Sequence, residues 1–141
     1  MLYFDGYGRG EPIRMACALR NVNYEDKRLS FADFGAMKQS GELPLGSVPV
    51  WIEDGVKYVQ SNSILRMVGI RNDMYSTDPA TAWAIDSVME YVEDNMGLYG
   101  KYLTKQVLSG QANAGQEEVD SICQFYEKLC TLIERRLKGH G

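Results

Sequence analysis

Apolar and polar positions change period several times along the chain. Leu2, Tyr3 and Phe4 suit a short strand, and Asp5 to Gly10 hold the glycines that a tight or positive-φ backbone needs. Pro12 fits the first turn of a helix, where its fixed φ is pre-organised and its missing N–H costs nothing. Ile13, Ala16, Cys17 and Arg20 then recur at three-to-four spacing, predicting an amphipathic helix. "YEDKRLS" reads as a second strand. "SFADFGAMKQSG" begins with Ser30 and Asp33 spaced as a capping box and predicts a short helix that Gly35 weakens. In "VPVWIEDGVKYVQ", Glu53-Asp54-Gly55 separates two β-rich runs, a hairpin signal, and "SNSILRMVGI" is helical. The predicted order is βαβ followed by ββα.

Asp73 to Pro79 reads as a linker, and the pattern beyond it is that of long helices. Ile85, Val88, Met89, Val92 and Met96 form an apolar stripe beside an acidic one of Asp86, Glu90 and Asp94 at i, i+4 spacing. In a second helix Val119, Ile122, Cys123, Tyr126, Leu129, Cys130, Ile133 and Leu137 trace one face. Asn113 with Gln116 can cap its start, and Arg135, Arg136 and Lys138 suit its C-terminal dipole before Gly139. "LSGQANAG" between the helices reads as a polar loop. The expected fold class is therefore α/β plus all-α, with lobes at residues 1–74 and 80–141.

Composition narrows the function classes. The 141 residues allow one domain or two small packed lobes, and 45% hydrophobic with 24% charged residues is the balance of a soluble globular protein. The net charge of −4 lies wholly in residues 78–141, where ten acids face six bases, against nine of each in residues 1–77. Nucleic acid is thus not an expected partner. No apolar run approaches the roughly 18 residues of a membrane span, and the start lacks a signal peptide's basic-then-apolar layout, so a cytosolic, membrane-free protein is expected. The three cysteines have no metal-ligand spacing, and no metal is expected. On one helix Cys123 and Cys130 would stand roughly 10 Å apart, too far to bridge, and buried free thiols are the plain expectation.

Two segments carry candidate chemistry. Ser61 lies where a helix N-cap would lie, and no acidic residue occurs from Gln60 to Gly69, so this positive helix end can receive a ligand carboxylate. On this segment alone the plainer reading is that Ser61 caps the helix. In "GSVPVW", a proline at a strand start is ordinary, and its value lies in combination with its neighbours.

The combination resembles the Tyr-type cytosolic glutathione S-transferases, especially the sigma-like and pi-like members. "LYFDGYGRGEPIR", "ADFGAMK", "GSVPVWIEDG", "VQSNSILR" and "IDSVMEYVED" follow in that family's order and at its spacing, with about two extra residues between Lys38 and Pro49. Five ordered blocks make a strong signal where any one is weak. The resemblance implies a thioredoxin-like glutathione-binding lobe over residues 1–74 and a helical lobe over residues 80–141. It implies that Tyr3 donates its hydroxyl to the glutathione sulfur and that Arg9 helps position that tyrosine. Val48 would pair its backbone with the cysteinyl part, ahead of a cis Pro49. Gln60 and Ser61 would bind the γ-glutamyl group, Phe34 and Lys38 would lie near the glycyl end, and Asp94 would reach the γ-glutamyl amine across a homodimer interface. Tyr7, inside the glycine loop, does not carry the catalysis.

These roles suit the residue types. A free thiol with pKa near 8.5 is only a few per cent thiolate at pH 7, and the thiolate is the nucleophile, so a hydroxyl donor that favours the anion raises reactivity. The implied activity is glutathione conjugation to a hydrophobic electrophile, or peroxide reduction, with glutathione as co-substrate. Three departures from the pattern stand out. Phe34 replaces a common tryptophan, Ser47 replaces a glutamine or lysine, and the sequence stops at "ERRLKGHG", where the family continues through further helices. The helical lobe is thus expected to be shortened to two helices, and only two residues precede Tyr3. The competing reading is a non-catalytic scaffold subunit of a larger assembly. A sigma-like prostaglandin isomerase is a variant of the enzyme reading. A thiol-disulfide oxidoreductase is disfavoured, because the first strand-helix corner has no cysteine.

Overall fold

The computed structural model describes residues 1–103 and 115–139. Its order is β1 (Leu2–Phe4), α1 (Glu11–Leu19), β2 (Lys27–Leu29), α2 (Phe31–Gln39), β3 (Val50–Glu53), β4 (Val56–Val59), α3 (Ser61–Arg71), α4 (Pro79–Leu103) and α5 (Gln116–Leu137). The chain divides into two compact units, Met1–Pro79 and Ala80–Gly141. Among the described residues the expected βαβ-ββα order and two long helices are what it adopts.

In the first unit the strands form one sheet in the order β2-β1-β3-β4. β1 and β2 are parallel and therefore need the crossover that α1 supplies, whereas β3 antiparallels both β1 and β4. The β3–β4 connection needs only two residues. Asp54 at φ 49° and Gly55 at φ 78° supply the two left-handed positions that match the turn to the twist of the strands. Ser30 caps α2 in the expected reciprocal box, accepting from the Asp33 N–H at 3.0 Å while its own N–H donates to the Asp33 carboxylate at 3.2 Å.

Side chains alternate across the sheet, so neighbouring residues enter different cores. Tyr3 and Trp51 pack with Ile13, Ala16 and Cys17 of α1 and Ile64 and Val68 of α3. Leu2 and Val50 pack with Leu29 and Leu43, with Phe34 and Met37 of α2 against them. Ile13, Val50 and Ile64 are at most 1% exposed, and burial of each such side chain stabilises the unit by about 1.5–3 kcal/mol. One expectation for α1 needs correcting. Arg20 is exposed and donates to the Asp73 carbonyl at 3.0 Å, while Arg14 is the arginine that turns inward, at 8% exposure. Arg14 is accommodated because a buried guanidinium can be satisfied by the carboxylates and carbonyls at the end of β1, as described below.

In the second unit, Tyr91 of α4 stacks on Phe125 of α5 at 5.5 Å between ring centroids. Arg136 donates to the Ala84 carbonyl at 2.6 Å and to Ser87 Oγ at 2.8 Å, with its guanidinium 5.2 Å from the Trp83 ring centre. Gly139, at φ 76°, ends α5 in the left-handed conformation expected there. Two expectations for α5 fail. Gly115 occupies the N-cap position and its N–H donates to Glu118 at 3.0 Å, so Gln116 is the first helical residue; Asn113 and residues 108–114 of the expected loop lie outside the described residues. Cys123 and Cys130 are exposed and Cys17 alone of the three thiols is buried, because the face of α5 that meets α4 runs through Phe125 and Arg136 and leaves the cysteine edge uncovered.

Candidate functional site

Three strands end at one place. Leu2 pairs with Val50, and Val50 with Val59. One residue beyond this row, at the same end of the sheet, stand Tyr3 on β1, Pro49 before β3 and Gln60 after β4. The order of the strands thus gathers residues that are up to 57 positions apart in the sequence. Val48, half-buried, packs against both core clusters, Pro49 is buried, and the Val48-Pro49 bond is cis, as expected.

The start of α3 differs from the expectation. Ser61 is the first helical residue, and the capping position belongs to Gln60, which holds φ 71° and ψ 112° and makes no side-chain cap. Such a conformation costs a non-glycine residue about 1–3 kcal/mol and persists only where the surroundings impose it. Here β4 ends at Val59 and α3 begins two residues later, so Gln60 absorbs the whole change of direction. As the sequence suggested, the first turn of α3 carries no acidic residue, so its outward N–H groups and positive dipole end meet no anion from that turn.

The remaining first-unit residues approach through Phe4. Phe34 stands edge-on to Phe4 at 5.2 Å, and Lys38 Nζ lies 5.9 Å from the Phe34 ring centre. The stem of Lys38 crosses Gly46, where an added Cβ would stand 3.4 Å from Lys38 Cε. Asp94 lies in the second unit, exposed on α4.

The setting of Tyr3 was not legible in the sequence. Its ring is 8% exposed and lies against Gly10, where an added Cβ would stand 2.4 Å from Tyr3 Cδ1; a Cβ at Gly8 would stand 2.8 Å from the Tyr3 hydroxyl oxygen. Gly10 has an ordinary helical conformation at φ −83°, so its value is the close approach of the ring and not backbone freedom. Arg9 is exposed, and the guanidinium 5.4 Å from the Tyr3 ring centre is that of Arg14. The signal for Arg14 was present: a basic residue set directly among Ile13, Ala16 and Cys17, three residues after Glu11.

A cavity of about 460 Å³ at the opposite end of the sheet, lined by residues including Met1, Tyr24, Lys27, Trp51 and Glu53, holds none of the predicted site residues. Among the described residues no group of three or more His, Cys, Asp or Glu side chains could hold a metal ion, and no helix is long and apolar enough to cross a membrane.

No family model matches the chain. It is similar to the probable glutathione S-transferase gst-36 of Caenorhabditis elegans, at 31% identity over 99% of this chain and 66% of the relative. It is similar also to glutathione S-transferase A3 of Mus musculus, at 37% identity over 99% of this chain and 62% of the relative. The solved structure of monomeric Na-GST-3, a glutathione S-transferase of the human hookworm parasite Necator americanus, superposes with a TM-score of 0.80 at 29% identity, covering 98% of this chain and 66% of that one. The chain therefore spans 62–66% of the length of these relatives.

Proposed function

The chain belongs to the glutathione S-transferase family, and from that premise we propose that it binds glutathione at the Tyr3 end of the sheet and transfers its sulfur to a hydrophobic electrophile. The observation that carries this reading is the convergence of Tyr3, Pro49 and Gln60 at one sheet end, beside the acid-free start of α3. The Tyr3 hydroxyl donates to the glutathione sulfur and favours its anion; the thiol proton leaves to solvent. The sulfur lone pair then forms the new C–S bond, and the displaced group, or the far carbon of a conjugated acceptor, takes the electron pair. Val48 pairs its backbone with the cysteinyl unit, and Gln60 and Ser61 receive the γ-glutamyl carboxylate at the helix end. Lys38, over the Phe34 ring, meets the glycyl carboxylate. Arg9, in the loop after β1, supports the tyrosine. The order and spacing of the five sequence blocks favour a sigma-like or pi-like Tyr-type enzyme, and a peroxide is a second acceptor for the same thiolate.

Replacing Tyr3 by Phe keeps the ring and removes the donor. The expected outcome is a kcat about 10²-fold lower with glutathione affinity much less changed, because the hydroxyl acts on the anion more than on the bound tripeptide. Ultraviolet absorbance of the bound thiolate against pH checks this: loss of the hydroxyl moves the thiol's ionisation upward. An unmoved ionisation removes Tyr3 from the mechanism.

Asp94 extends the reading to a homodimer in which it reaches the neighbour's γ-glutamyl amine. A shallow groove of about 280 Å³ along α3 is lined by Ser63, Arg66, Met67, Ile70 and Arg71; Arg71 is paired with Glu53, and Arg66 supplies the cation suited to the acidic stripe of Asp86, Glu90 and Asp94 on another copy. Asp94→Ala is expected to weaken glutathione binding more than folding, as read by sedimentation and glutathione titration. A native monomer, like the hookworm relative described as monomeric, or unaltered glutathione affinity defeats this extension. The exposed apolar edge of α5 at Tyr126 and Leu137 favours the second reading, a scaffold subunit whose neighbour covers that edge.

A further inference from the structure

We propose that Arg14 is a positioning residue for Tyr3, fixing the backbone that follows the tyrosine so that its hydroxyl is held at the end of the sheet. The inference rests on the glutathione-site reading for its catalytic consequence only. Arg14 is the single buried charged residue among those described. All five of its N–H groups find oxygens. Nε donates to Asp26 Oδ2 at 2.9 Å, Nη1 to the Gly6 carbonyl at 2.9 Å and Glu11 Oε2 at 3.2 Å, and Nη2 to the Phe4 carbonyl at 2.9 Å and Asp26 Oδ1 at 3.4 Å.

Two of those acceptors are main-chain carbonyls on either side of Asp5, in the turn by which the chain leaves Tyr3. β1 pairs with β2 through Leu2, Tyr3 and Phe4 and with β3 through Leu2 alone, so strand pairing stops at Phe4 and does not itself hold the turn that follows. The turn returns the chain across the Tyr3 ring at Gly8 and Gly10, on which no Cβ could be accommodated. A guanidinium that holds both carbonyls, with its Cζ 5.4 Å from the ring centre, sets the depth of that return and hence where the hydroxyl points. Asp26 keeps Arg14 in place with two oxygens and is shared with Arg28, whose Nε donates to it at 2.8 Å and whose Nη1 reaches Asp5 at 2.6 Å. A lysine cannot reproduce the arrangement, because an ammonium offers three donors from one point where the fork reaches two carbonyls and two carboxylates.

The test uses the whole chain labelled with 3-fluorotyrosine, the Tyr3 signal among the nine tyrosines being assigned by its loss in Tyr3→Phe. Arg14→Lys is the first variant, and Asp26→Asn is the second, since it leaves Arg14 intact but loosens its anchor and so survives any failure of the first to fold. Both are expected to displace the Tyr3 fluorine signal, to lower kcat by roughly tenfold or more with glutathione KM changed less than about threefold, and to raise the ionisation pH of the bound thiol. A folded variant with a lowered melting temperature but an unmoved Tyr3 signal overturns the inference and leaves Arg14 as a stabilising residue only. A displaced Tyr3 signal with unchanged ionisation of the bound thiol supports the positioning role and overturns Tyr3's proposed catalytic part.

Discussion

The two units bury their apolar residues to different depths. In the first, Ile13, Cys17, Val50 and Ile64 are essentially enclosed. In the second, no described residue reaches that depth, and Trp83, Tyr126 and Leu137 are 64%, 52% and 83% exposed. Hydrophobic content alone does not account for the contrast, since α5 is apolar over a broad face. The difference is one of layers. A sheet with α1 and α3 on one face and α2 on the other closes two cores, one on each side. Two helices can cover only the stripe along which they touch. The face of α5 that carries Phe125 and Arg136 is used, while the neighbouring edge of Cys123, Tyr126, Cys130, Ile133 and Leu137 is left to solvent.

Thiol chemistry is expected to separate the units most widely. Cys123 and Cys130 should react with Ellman's reagent at once. Cys17, 1% exposed and with its pKa pushed up by burial, should react at least about 10³-fold more slowly, through opening of its unit. Three thiols reacting in one phase would break the comparison. Core truncation comes next. Ile64→Ala should destabilise the first unit by about 3 kcal/mol, whereas Ile133→Ala, at a side chain already 37% exposed, should cost less than about 1 kcal/mol. Urea unfolding reads the first unit directly, because buried Trp51 reports on it while exposed Trp83 belongs to the second.

The smallest expected effect concerns a helix end. The Ser30 hydroxyl donates to Asp33 Oδ2 at 2.6 Å, and with the Ser30 N–H it holds the Asp33 carboxyl below its ordinary pKa. Because the folded pKa is the lower one, the contribution of this cap is present above the unfolded-state pKa and is lost as pH falls through the folded value. Carbon-13 titration of the Asp33 carboxyl should show this depression, and Ser30→Ala should reduce it by removing the hydroxyl donor while the backbone N–H remains. An unchanged titration in Ser30→Ala would locate the cause elsewhere.

Much of the first unit could be read from local chemistry. The α2 cap follows from Ser30 and Asp33, the β3–β4 turn from Asp54-Gly55, and the α1 entry from Pro12, because each requirement is met within a few residues. The acid-free start of α3 was equally visible, although the capping position was assigned one residue late: Ser61 is a good cap by type, and only the tight β4–α3 connection shows that Gln60 takes the bend. The expectation that Cys123 and Cys130 are buried failed for a similar reason. Periodicity identifies an apolar face but not how much of it another element covers.

What the sequence determined by itself is the set of elements and the residue types at the candidate site, since propensity, capping and period act over short separations. Tertiary structure decided which side chains meet. The order β2-β1-β3-β4 brings Tyr3, Pro49 and Gln60 to one end of the sheet. The fold of the loop after β1 sets Gly8 and Gly10 against the Tyr3 ring, and the carboxylate of Asp26 draws Arg14 inward from an otherwise apolar face. Each of these depends on strand pairing or on a buried charge finding all its partners, and such partners are chosen by the packed fold and not by neighbours along the chain.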